Sequence, residues 1–146
     1  VAANVYLALH GMYGFCWILK HFAFPDKAWE KKVTIGGGLM AFLLVLALYW
    51  VFPFLLISGV LGPDQKIASV SLLSAAISIH TLGVVIMMVA DCQKYYTLKY
   101  HQGLIKEGLF KYIRHPNYLG EIMLYASYAM IVQHWIPWAI LATGMI

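Results

Sequence analysis

Charge is scarce in this chain. Asp, Glu, Lys and Arg together make up 11% of its 146 residues, and only six of those residues are acidic. Soluble globular domains carry about a quarter charged residues, so an ordinary soluble domain is excluded. Cysteine is nearly lacking too. Cys16 and Cys92 form no CxxC pair and no Cys/His zinc set, and both fall toward the basic, reducing side, where a disulfide is not expected. Cys92, beside a membrane edge, is read as structural rather than palmitoylated. Zinc, haem and P-loop signatures are absent, as are internal repeats, low-complexity tracts and any linker long enough to divide the chain. No basic stripe interleaved with base-stacking aromatics is present, which argues against nucleic acid as a partner.

What is present is apolar. Hydrophobic residues reach 62% and the mean hydropathy is +0.76. A membrane-crossing helix needs roughly 20 apolar residues, and four stretches qualify, near residues 2–19, 33–61, 67–90 and 118–146. The expected fold is therefore all-α: a polytopic membrane bundle of about four transmembrane helices in one domain. The second span is long enough to tilt or to bend at Pro53, which lacks the N–H that would continue the helical ladder. Polar residues between 91 and 113 predict a continuation of the third helix beyond the membrane, then a turn at Gln102-Gly103.

Basic residues alternate between the loops. Lys20, Lys27, Lys31 and Lys32 follow the first span, Lys66 alone follows the second, and Lys94, Lys99, Lys106, Lys111 and Arg114 follow the third. By the positive-inside rule the first and third loops are cytoplasmic, or on the equivalent side, and the N-terminus lies opposite. The net charge of +4 reflects this topology. Phe24-Pro25-Asp26 marks a turn, Trp29 reads as an interfacial anchor on a short amphipathic piece, and Gly62-Pro63-Asp64 as a tight turn. Gly36-Gly37-Gly38 predicts a flexible helix start or a close helix approach. The chain opens on Val1 without a basic leader and closes inside an apolar run, so further chain is expected at each end, above all after Ile146.

Three spans carry polar seams at steps of three and four, each confined to one helix face. They are Tyr6, His10, Tyr13 and Trp17; Ser71, Ser74, Ser78 and Thr81; and Tyr118, Glu121, Tyr125 and Tyr128. Lipid does not reward such stripes, so all three are expected to face the bundle interior. Small hydroxyl residues suit close packing and cross-helix hydrogen bonds, which explains the serine seam. The tyrosine–glutamate seam stays open between packing and a wall for a cofactor or substrate. His80 lies opposite the serine seam and His134 off the tyrosine seam, and neither joins a metal cluster.

The seam of the fourth span grows out of the run Gly108–Glu121, GLFKYIRHPNYLGE. Pro116 suits the first turn of a helix and Asn117 beside it is a good cap residue. The free N–H groups and positive dipole end of that helix favour an anion. Arg114 can grip phosphate or carboxylate in bidentate fashion, His115 supplies a titratable donor, and Glu121 can hold a cation, a ribose hydroxyl or Arg114 itself. A plainer reading has Arg114 and Lys111 reaching lipid headgroups while Glu121 pairs with one of them.

Arg-His-Pro-Asn-Tyr-Leu-Gly-Glu, preceded by Gly108-Leu109-Phe110, resembles a motif of the membrane-enzyme superfamily of steroid 5α-reductases, sterol reductases, isoprenylcysteine carboxyl methyltransferases and phospholipid methyltransferases. Asp91-Cys92-Gln93-Lys94 and Tyr6-Leu7-Ala8-Leu9-His10-Gly11 look like the bacterial-type 5α-reductase-like branch. The eight-residue core is the specific part. The resemblance implies a pocket for a nucleotide-bearing cofactor, NADPH or S-adenosylmethionine, with Arg114, His115, Asn117, Tyr118, Glu121 and Tyr125 as candidate cofactor residues. An acidic residue after the glycine, Glu121, is similar to the reductase branch. Relatives continue into a polar C-terminal segment with further cofactor contacts, which this sequence does not contain.

Three functions follow. The first is NADPH-dependent reduction of a lipid-soluble enone or sterol-like substrate, with Tyr6, His10 or Tyr13 as the acid that polarises the carbonyl. The second is methyl transfer from S-adenosylmethionine to a prenyl-cysteine or phospholipid. The third is a catalytically degenerate subunit of a larger membrane assembly. In each the lipid bilayer is a partner.

Overall fold

A computed structural model describes residues 1–26, 30–62 and 65–144. Trp29, Pro63 and Asp64, and the expectations resting on them, lie outside the described residues. Among the described residues there are five long helices and no strand: α1 (Ala2–Ala23), α2 (Ile35–Ile57), α3 (Val70–Tyr100), α4 (Pro116–Val132) and α5 (Trp135–Gly144). The first three are long and apolar enough to cross a membrane, as expected of an integral, multi-pass protein.

α3 runs past the apolar stretch to Tyr100, and Gly103 turns the chain at a positive φ of 123°. Both features follow the sequence expectation. α1 stops at Ala23, directly before Phe24-Pro25. Its end and that of α3 are joined by two ion pairs, Lys20–Asp91 and Lys94–Asp26. α4 starts at this same end, so the lysine-rich loops share one end of the bundle. At the other end Gln133 Nε2 donates to the carbonyl of Lys66 at 3.2 Å.

α2 is irregular in two places. A π turn spans Phe42–Leu46, which the sequence did not signal. At Trp50 the ladder tightens, its N–H donating to Ala47 at 3.2 Å. The irregularity expected at Pro53 therefore falls one turn earlier, beside the Tyr49 carbonyl that Pro53 cannot serve. Phe52, Leu55 and Leu56 are buried, whereas Ile35, Leu39, Met40 and Phe42 are exposed. Gly36-Gly37-Gly38 is helical rather than loose, capped by Thr34 Oγ1 accepting from the Gly37 N–H at 3.1 Å. Among the described residues, no atom of another helix lies within 4 Å of a Cβ built on these glycines.

The fourth span is not one helix, a correction to the sequence reading. α4 has 17 residues, about 25 Å at 1.5 Å per residue. It ends where Gln133 adopts the left-handed conformation, φ 55°. Pro137 would clash with the Gln133 carbonyl in a continuous helix, so the break is local chemistry that an uninterrupted apolar run concealed.

α4 is the central element. Gly120, Leu124, Tyr125, Ser127, Tyr128, Ala129, Ile131 and Val132 are buried, on more than one face, as a helix surrounded by neighbours requires. Its main partner is α3, and the two backbones meet at paired glycines. A Cβ on Gly83 would lie 2.6 Å from the Gly120 carbonyl oxygen, and one on Gly120 would lie 2.5 Å from that of Gly83.

That contact sets the rotation of α3 and overturns another expectation. Its buried face is Leu73, Ala76, His80, Gly83, Met87 and Ala90. Ser71, Ser74, Ser78 and Thr81 point outward and are exposed. Ser74, Ser78 and Thr81 donate to the carbonyls four residues back at 2.8–2.9 Å. A hydroxyl satisfied within its own helix tolerates lipid, so this seam need not be buried.

Candidate functional site

The motif is held in place from α3. Gln93 Nε2 donates to the Glu107 carbonyl at 2.7 Å, and its Oε1 accepts the Leu109 N–H at 3.2 Å. This amide thus closes the 3₁₀ turn Gly108–Lys111 onto the helix. Gly108 has φ 55°, and a Cβ there would meet Gln93 at 2.5 Å, so glycine is required on both counts. In the run Asp91-Cys92-Gln93-Lys94, therefore, three side chains anchor neighbours: α1, the motif turn, and the loop after α1. Gln93→Ala is expected to free the turn, lowering the melting temperature by roughly 2–4 °C. It should also raise amide exchange at Leu109 while leaving that of α4 unchanged.

Pro116 is the first residue of α4 and is buried. The cap position belongs to His115, which makes no side-chain cap bond, and Asn117 lies inside the first turn. The expectation that Asn117 caps the helix is thus corrected. Arg114, His115 and Tyr118 are exposed at the basic end, where the His115 and Tyr118 rings stack 5.2 Å apart. Among the described residues Arg114 has no ion pair and does not reach Glu121. Glu121 points inward, half-buried, within electrostatic reach of Lys20 and Asp91.

From Glu121 inward the α4 seam meets the α1 seam; both were expected to face the bundle interior, and the structure joins them there. Tyr13 Oη and Tyr125 Oη lie 3.4 Å apart, and Trp17 Nε1 donates to Tyr13 Oη at 2.9 Å. Tyr6 Oη and His10 Nδ1 are 3.1 Å apart. Tyr49 of α2 stacks on Tyr125 with centroids 4.7 Å apart and planes 3° from parallel. Deeper still, Tyr128 is 1% exposed. The rings of Tyr6, His10, Phe52, His80 and Tyr125 stand 4.9–6.2 Å from it. All of the first four helices contribute.

The structure thus divides the candidates. Tyr6, His10, Tyr13 and Tyr125 come together in the bundle with Tyr128. Arg114, His115 and Tyr118 form a separate outer group, and Glu121 lies between. The sequence reading missed His80, Ser127, Tyr49, Lys20, Asp91 and Gln93. The available signal for His80 was its spacing from Ala76, Gly83 and Met87, an apolar face at steps of four, three and four. Separately, a cleft of about 400 Å³ opens at the basic end between Lys20, Phe24, Asp26, Lys94, Tyr95 and Lys99. None of the motif residues lines it.

Comparison with known families supplies a placement. Residues 20–146 match the family described as protein of unknown function DUF1295. The chain belongs to the DUF1295 family. The matched region holds α2 to α5, the motif and the buried end of α1 at Lys20; Tyr6, His10 and Tyr13 precede it. An uncharacterised protein of Schizosaccharomyces pombe is similar to this DUF1295 chain, 50% identical over 38 residues. That stretch covers 26% of the chain and 14% of the relative. No solved structure matches.

Proposed function

We propose that this DUF1295 chain is the membrane-embedded part of an enzyme resembling the steroid 5α-reductases, reducing a lipid-soluble enone or sterol-like double bond with NADPH. The observation that carries the reading is the junction of the two seams. Tyr13 on α1 meets Tyr125 on α4, the helix that opens with the cofactor-type motif. Candidate acid and candidate cofactor helix are thereby neighbours.

The outer group suits a nucleotide. Arg114 is exposed and uncommitted to a carboxylate among the described residues, and the stacked His115–Tyr118 pair offers a flat aromatic face. The N–H groups of the first turn, Asn117 included, face the same end. Arg114 would hold phosphate, and Glu121 a ribose hydroxyl or carboxamide. When bound, NADPH supplies the hydride delivered to the β-carbon. Tyr13 accepts the Trp17 N–H, and its own proton can be given to Tyr125, 3.4 Å away, or to a substrate carbonyl oxygen. The Tyr6–His10 pair lies behind it as the second candidate donor.

NADPH is expected to raise the melting temperature of the purified protein, with S-adenosylmethionine having no effect. Arg114→Ala and Glu121→Ala should each weaken that protection about tenfold or more in apparent affinity, since each removes a charge-assisted contact. Protection by S-adenosylmethionine alone would replace the reductase reading with methyl transfer. Protection by neither, with stable co-purification of a partner protein, would leave a structural subunit.

A further inference from the structure

His80 is 3% and Ser127 0% exposed, and the hydrogen bonds between them determine a proton position. Ser127 Oγ donates to the Leu124 carbonyl at 2.6 Å. A serine has one proton, so the 3.2 Å contact between Ser127 Oγ and His80 Nδ1 requires Nδ1 to be the donor. In the neutral ring Nε2 then carries only a lone pair. That atom is buried without a hydrogen-bond partner among the described residues. The carbonyls of Leu9 and Leu124 stand within hydrogen-bonding range of the ring, but with the proton on Nδ1 the Nε2 atom has none to give them.

The other buried atom in this position is the Tyr128 hydroxyl. Its ring lies 5.2 Å from that of His80, tilted by 40°. One group lacks a donor and the other carries an unused O–H. Leaving both unmet in a membrane bundle costs on the order of the full desolvation of each group. A ketone or ester oxygen can accept from Tyr128 but cannot donate to His80. An ammonium can donate to His80 but cannot accept. A hydroxyl does both.

We propose that His80 and Tyr128 form an intramembrane hydroxyl seat, in which one bound O–H group donates to His80 Nε2 and accepts from Tyr128 Oη. A single oxygen can make two hydrogen bonds of about 2.8 Å each, and the rings that carry the two groups are direct neighbours. The hydroxyl belongs either to a lipid-soluble alcohol or to a buried water. The seat is built from α3 and α4 within the family-matched region. It does not depend on which cofactor, if any, binds at the motif.

Tyr128→Phe decides the matter by the sign of its effect, because it keeps the ring and deletes only the hydroxyl. The full chain in detergent, without cofactor, is melted as wild type, Tyr128→Phe, His80→Asn and the double variant. Asparagine retains an N–H for Ser127 and removes the Nε2 acceptor. With the seat occupied, Tyr128→Phe lowers the melting temperature by about 3–5 °C, and the double variant loses less than the sum of the two singles. Cyclododecanol and cyclododecanone, a lipid-soluble alcohol and its ketone, identify the source. A rise with the alcohol only, abolished by Tyr128→Phe, assigns the seat to a lipophilic alcohol. No rise with either, together with the destabilised and non-additive variants, assigns it to water. An unchanged or raised melting temperature for Tyr128→Phe, or additive losses, together with no rise specific to the alcohol, overturns the proposal.

Discussion

Gly120→Leu is expected to prevent the bundle from closing. The new Cβ would stand 2.5 Å from the Gly83 carbonyl oxygen and 2.7 Å from the Met87 nitrogen. Both are backbone atoms of α3, so no rotamer change relieves the clash and the helices must separate. Overpacked cores commonly lose about 1–3 kcal/mol. Here the two most closely packed helices must move apart, so a loss of at least about 3 kcal/mol is expected, enough to unfold a marginal protein. Gly83→Leu should behave alike, meeting the Gly120 oxygen at 2.6 Å. Gly11→Leu is the control, since no atom lies within 4 Å of a Cβ there. Thermal melting in detergent separates the cases. Gly120 also belongs to the motif, and Gly120→Ala distinguishes its two roles. A stability loss assigns the glycine to packing, whereas wild-type stability with loss of cofactor protection would assign it to the ligand and refute the packing account.

Lys20→Met should be nearly as damaging. Lys20 pairs with Asp91, their side chains being 10% and 11% exposed, and its ammonium lies 4.5 Å from the Trp17 ring centroid. Removing the cation leaves Asp91 and the half-buried Glu121 facing each other without a counter-ion. Breaking a buried pair from one side typically costs about 3–5 kcal/mol, whereas replacing both partners by apolar residues is close to neutral. Lys20→Met/Asp91→Leu is therefore expected to recover most of the loss. Adding Glu121→Gln should recover the remainder. If Lys20→Met melted with the wild type, the pair would be a solvated contact with no structural role.

These effects bear on how much could be read from the residues. Membrane helices were legible because a 20-residue apolar run has few other fates. The ends of the bundle were legible from lysine placement, and the inward faces of α1 and α4 from aromatic–polar stripes. Tyr6, His10, Tyr13, Tyr125 and Tyr128 are too bulky and too polar to have been left to lipid. The start of α4 at Pro116 followed from a single residue's fixed φ. Its break at Gln133 was also written in the sequence, in Pro137, but an unbroken apolar run hid it.

The face of α3 was not legible, and the reason is specific. Ser74, Ser78 and Thr81 satisfy their hydroxyls within their own helix, so their polarity carries no information about direction. The residue that sets the rotation is Gly83, whose requirement is the backbone of α4, 37 positions later at Gly120. The same holds for Lys20 with Asp91, Gln93 with the Gly108 turn, and His80 with Ser127. Each pair joins residues distant in sequence whose individual types are unremarkable. What each segment must do with its own backbone and apolar surface is written locally, because those demands are met within about twenty residues. Which polar groups satisfy one another emerges only from the packed bundle, because a buried charge or lone pair is indifferent to where along the chain its partner comes from.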